Sequence, residues 1–156
     1  MTAARYAQGT SVDSSASRAE IERTLARYGA TSFMYGWQEN RTALAFTAEG
    51  RQIRFVLPLP DRNERRFTHT PAKNQKRTPE AAEKEYEQAV RQSWRALNLV
   101  VKAKLEAVAA GIVSFEQEFL AHIVLPNGRT VLEETSEAVE LAYRTGTVKP
   151  LLQIEG

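Results

Sequence analysis

Catalytic and metal sites are built mostly from histidine, cysteine and converging carboxylates, and this chain supplies few of them in usable arrangements. It has no cysteine and two histidines, His69 and His122. Glu118 and His122 stand four apart, on one face if the segment is helical, but two ligands fall short of the four a zinc site needs. A surface pair is the better reading. Glu133, Glu137 and Glu140 share a helical face as well. Carboxylates do acid–base work or hold a divalent ion only when buried and converging, so a solvated acidic face is expected. No Gly-x-Gly-x-x-Gly and no P-loop lysine occur, so a phosphate cradle of the nucleotide-binding folds is missing. The expectation is a protein that is not an enzyme, with no catalytic residues, no metal and no cofactor.

Cations are better supplied. Residues 61–78 hold six basic side chains, Arg62, Arg65, Arg66, Lys73, Lys76 and Arg77, against two acidic ones. A loop this long in a compact domain is usually functional or disordered. Arg51 and Arg54 precede it on a strand, and Arg91, Arg95 and Lys102 follow it along a helix. Joined, they would make one basic track, with Phe67, Tyr35 and Trp37 near it. Cations along a backbone groove with aromatic faces for bases are what sequence-tolerant binding of single strands requires. The competing readings are that Tyr35, Trp37 and Trp94 are core, and that His69 is an exposed loop residue without a role.

The elements that must position these residues follow from periodicity and caps. Residues 1–16 are small and polar and read as an N-terminal arm, mobile or docked on a neighbour. Ser17 to Glu20 forms a capping box, and Ile21, Leu25 and Tyr28 follow at helical spacing to a stop at Gly29. Phe33, Tyr35 and Trp37, then Leu44 and Phe46, then Ile53, Phe55 and Leu57 alternate with smaller or polar residues, the pattern of an antiparallel meander. Pro58 and Pro60 end the third strand. Thr78-Pro79-Glu80 opens a helix to about Ala110. Its large apolar residues, from Tyr86 through Trp94 to Val108, make one stripe, and Ala82, Ala89, Ala96, Ala103 and Ala110 make a second. The first should cover the sheet. The second should admit another helix, from this chain's C-terminal part or from another copy. Ser114 and Thr130 cap two final helices, and the apolar tail from Val148 to Leu152 is expected to dock. The fold class is therefore α+β: a three-stranded antiparallel meander packed on a long helix, preceded by one short helix and followed by two short helices, with residues 17–156 as a single domain.

Composition agrees with an ordinary globular chain. Of 156 residues, 42% are hydrophobic and 26% charged. No apolar run approaches the ~18 residues of a membrane span, and no signal segment follows Met1. With zero cysteines, this suits a reducing cytoplasm. The formal charge of +2 conceals an asymmetry: residues 1–78 carry 13 basic and 7 acidic side chains, residues 79–156 carry 8 and 12. Such asymmetry fits an anionic partner for the basic half or head-to-tail contact between copies, hence a homo-oligomer.

The stretch from Leu105-Glu106-Ala107-Val108 through Gly111-Ile112 to Phe119-Leu120-Ala121-His122-Ile123-Val124-Leu125-Pro126, with Arg27-Tyr28-Gly29-Ala30, resembles a small protein of tailed phages and prophages. The resemblance implies a bacterial host cytoplasm and a phage-borne role in recombination, replication or countering host defence. Residues 17–111, with Tyr35-Gly36-Trp37 in the first strand, are also similar in topology to phage single-strand annealing proteins of the Beta and Erf type. Those use no ATP, assemble into rings or filaments and lay single-stranded DNA in a basic groove, although this chain is shorter. The function expected is non-enzymatic binding of single-stranded nucleic acid or another anionic ligand. The alternative is a counter-defence protein that sequesters a nucleotide signal or inhibits a host protein.

Overall fold

The computed structural model describes the backbone of residues 2–38 and 41–152 and the side chains of residues 15–37 and 41–152. The first helix, α1, runs Thr2–Arg27. It is longer than expected: the segment read as an arm is helical from Thr2, so Ser17 lies inside the helix rather than at its cap. Its end is as expected. Gly29 takes φ +96° and the Ala30 N–H reaches back to the Leu25 carbonyl, satisfying a terminal acceptor.

Three strands follow: β1 (Ser32–Gln38), β2 (Arg41–Ala48) and β3 (Arg51–Pro58). They form an antiparallel sheet in the order β1-β2-β3, with Tyr35 opposite Leu44 and Leu44 opposite Phe55. The β2–β3 turn has two residues, Glu49 at φ 53° and Gly50 at φ 70°. Positive φ at both positions gives the tight hairpin whose twist matches that of the strands. Beyond β3, Ile123 bridges to Ile53 and the Val124 N–H donates to the Gln52 carbonyl at 2.8 Å, so the later chain covers part of this outer edge.

The long helix α3 (Pro79–Ala109) starts where the Thr78-Pro79 signal places it, with the Thr78 hydroxyl accepting from the Ala81 N–H. Tyr86, Val90, Trp94, Leu97, Val101 and Leu105 are buried, as the four-and-three spacing predicts. They meet Leu44, Phe46, Ile53 and Phe55 from one face of the sheet. Trp94 is 0% exposed, its ring centroid 5.7 Å from that of Tyr35. Helix α1 lies beside α3 on this same face. The Arg18 guanidinium covers the Tyr35 ring, and further along both helices the Tyr28 hydroxyl donates to Glu106. The two helices therefore run in the same direction.

Ser114 and Gln117 form the expected capping box at the start of α4 (Phe115–Phe119), followed by a 3-10 turn, Leu120–His122. Thr130 caps α5 (Val131–Thr145), which ends at Gly146 with φ 72°. The tail departs from expectation: Val148, Leu151 and Leu152 are exposed rather than docked. No helix among the described residues is long and apolar enough to cross a membrane.

Candidate nucleic-acid interface

The basic loop is ordered, and its own chain supplies most of the order. A single helical turn, α2 (Arg65–Thr68), buries Phe67 against Tyr86, ring centroids 5.6 Å apart. His69 pairs with Lys76 in an isolated bridge, and the Thr68 hydroxyl lies 2.8 Å from His69 Nδ1. Arg62 pairs with Glu83 and lies over the Tyr86 ring. Arg66 pairs with Glu64 at 2.7 Å and covers Phe67. Arg65 donates to Asn74, and Arg77 donates to the carbonyls of Arg66 and Phe67 at 2.8 and 3.2 Å. Four of the six loop cations thus hold the loop together. Lys73 and Lys76 are the exposed pair that remains.

The other cations do not share one surface with the loop. Arg54 lies on the sheet face turned away from α1 and α3. It donates to Glu133 at 3.1 Å and to the Gly128 carbonyl at 3.0 Å. Arg51 is exposed beside the β2–β3 turn. Arg95 and Lys102 are exposed and Arg91 is half-buried on α3, in the helical layer behind the opposite sheet face. The expected track therefore divides among the loop, the helical layer and the outer sheet face.

Of the aromatics, Tyr35 is half-buried under Arg18 and Phe67 is buried. Trp37 differs. It occupies the same strand parity as Tyr35, one pair from the end of edge strand β1, opposite Thr42, and is 56% exposed. It lines a groove of about 470 Å³ with Gly36, Ala43, Val56, Arg41 and Arg54. Gly36, Ala43 and Val56 are aligned across the three strands. Two of the three are small, so the floor there is low, with Met34 exposed nearby on the same outer face. Glu133 closes one side. Burial pushes its carboxyl upward, but the hydrogen bond and charge of Arg54, with Thr130, outweigh this and hold it below the usual carboxylate range. Arg41 was not among the expected site residues, because the sequence places it at a hairpin end with no other cation beside it.

The carboxylate and histidine candidates make local contacts. Glu118 pairs with Lys104 at 3.1 Å, and His122 stacks on Phe55 with ring centroids 4.1 Å apart. Among the described residues no group of three or more His, Asp or Glu side chains is placed to hold a metal ion. The outer-face groove offers Arg41 and a shallow apolar floor, with Arg54 held by Glu133, and Trp37 stands exposed at its margin with the strand parity of Tyr35. A scan against protein-family models, a search of curated proteins and a search of solved structures each return no match to this chain.

Proposed function

We propose that the chain binds single-stranded nucleic acid around the exposed end of edge strand β1, without catalysis. The observation that carries this reading is the exposure of Trp37 near the end of edge strand β1, at the margin of the groove that Arg41 and Arg54 line on the other sheet face. Every base has a π-face, so an exposed indole stacks on any of them, for about 1–3 kcal/mol per base. The groove is open along the sheet, which suits a polymer passing through it. This keeps the partner class expected from composition but moves its centre from residues 61–78 to the sheet. Lys73 and Lys76 add long-range attraction only.

Trp37 is also a reporter, because the chain's one other tryptophan is Trp94. In a Trp94→Phe background, titration with oligo-dT should quench Trp37 emission. Stacking loss in Trp37→Ala, followed with labelled oligo-dT, should weaken affinity by about 5- to 150-fold. Arg41→Ala should make the plot of log affinity against log salt shallower by about 0.7. Unchanged affinity in Trp37→Ala together with an unchanged salt slope in Arg41→Ala would remove the sheet as the binding surface.

A further inference from the structure

Helix α5 has an apolar face that its own chain leaves uncovered. Leu132, Val139 and Tyr143 recur at seven and four residues on one stripe, at 54%, 39% and 88% exposure. Glu133, Glu137 and Glu140 occupy the adjoining flank. Pairing two such helices from two copies would set these carboxylates against each other, so α5 calls for a basic counterpart. One exists on α3. Its solvent side exposes Leu99 and Val100 between Ala96 and Ala103, and Arg95 and Lys102 run along one flank.

We propose that α5 of one copy docks on this α3 face of a second copy, a heterologous contact between copies of the chain. Charge complementarity selects this occupant: Glu137 and Glu140 on α5 meet Arg95 and Lys102 on α3. Length agrees too. The 15 residues of α5 span about 22 Å, close to the last turns of α3 from Ala96 to Ala109, about 20 Å. Alanine at 96 and 103 lets the helix axes approach closely, with Leu99 and Val100 supplying apolar area between them. The α4 and α5 helices of the same chain do not close this face, since Leu99 is 62% exposed.

The test is complementation between two variants. Leu99→Glu with Ala103→Glu spoils the α3 face and leaves α5 intact. Val139→Asp with Tyr143→Asp does the reverse. All four positions are exposed, and far-UV circular dichroism with a thermal melt checks that each variant folds. In sedimentation velocity up to about 1 mM, where a contact of micromolar Kd is saturated, the wild type should associate and each variant should be monomeric. The mixed variants should form a one-to-one dimer that dissociates at high salt. A monomeric wild type overturns the proposal. So does a variant that still associates alone, or a mixture that stays monomeric. Because none of these residues lines the Trp37 groove, failure here is separable from failure of oligonucleotide binding.

Discussion

Replacing Trp94 by alanine and by phenylalanine should have very different consequences. Trp94 is fully buried between α3 and the sheet, against Tyr35. Removing about 200 Å² of buried indole at ~25 cal/mol per Å² gives an upper figure of about 5 kcal/mol. Large-to-small changes of this kind cost about 3–5 kcal/mol once partial collapse of the cavity is included. The indole Nε1, however, has no hydrogen-bond partner among the described residues. A buried donor in that state costs about 1–3 kcal/mol. Phenylalanine keeps an aromatic ring against Tyr35 and removes the donor. The area it loses is worth about 1–2 kcal/mol, so gain and loss nearly cancel. Urea denaturation followed by far-UV circular dichroism should show Trp94→Ala lowered by about 1.5–2.5 M in midpoint, for a slope of about 2 kcal/mol per M. Trp94→Phe should stay within about 1 kcal/mol of wild type. A cost for alanine under about 1 kcal/mol, or equal costs for the two variants, would refute the packing described.

Three further outcomes are expected. Burial, then the charge of Lys104, lowers the His122 pKa below its ordinary 6.5 in the folded chain. The unfolded chain therefore takes the proton first. Stability should be whole above about pH 6.5 and fall as pH drops through the lowered folded value. His122→Phe should flatten that dependence in denaturation midpoints measured across pH. In the loop, Arg77→Ala removes two hydrogen bonds to carbonyls and should cost about 1–3 kcal/mol, whereas exposed Lys73→Ala should stay within about 0.5 kcal/mol. Equal costs in thermal or chemical denaturation would mean that the loop does not depend on Arg77. Glu49 holds φ 53° beside Gly50, a conformation costing an ordinary side chain about 1–2 kcal/mol. Glu49→Asn should raise the melting temperature, because asparagine followed by glycine suits this turn; a lowered one would contradict the turn geometry.

Local signals account for what could be read from the chain. Strand alternation, Thr78-Pro79, the Ser114 box and the Thr130 cap each act within a few residues, and each lies where the sequence predicts. The start of α1 was not legible, because Gly9, Thr10 and the run from Ser14 to Ser17 are poor helix formers by composition. The fate of the loop cations was hidden for another reason. Arg62 is balanced by Glu83, outside the segment that looks unbalanced, and Arg77 by carbonyls, which carry no signature in a sequence. Tyr35 and Trp37 share strand parity, so alternation treats them alike. Only the three-dimensional packing separates them, with Tyr35 against Trp94 and Trp37 near the end of an edge strand.

The parallel run of α1 and α3 has a consequence for the order of folding. The turn at Glu49-Gly50 joins strands separated by two residues, so its closure is fast and local. The bond between Tyr28 and Glu106 joins positions 78 apart, with the whole meander and loop between them. Closing such a span costs about 4 kcal/mol of chain entropy beyond a constant, before any contact made there compensates. The meander should accordingly acquire its native pairing before α1 settles beside α3. In native-state amide exchange, α1 should then open at lower free energy than β2, which is the central strand and is paired on both sides.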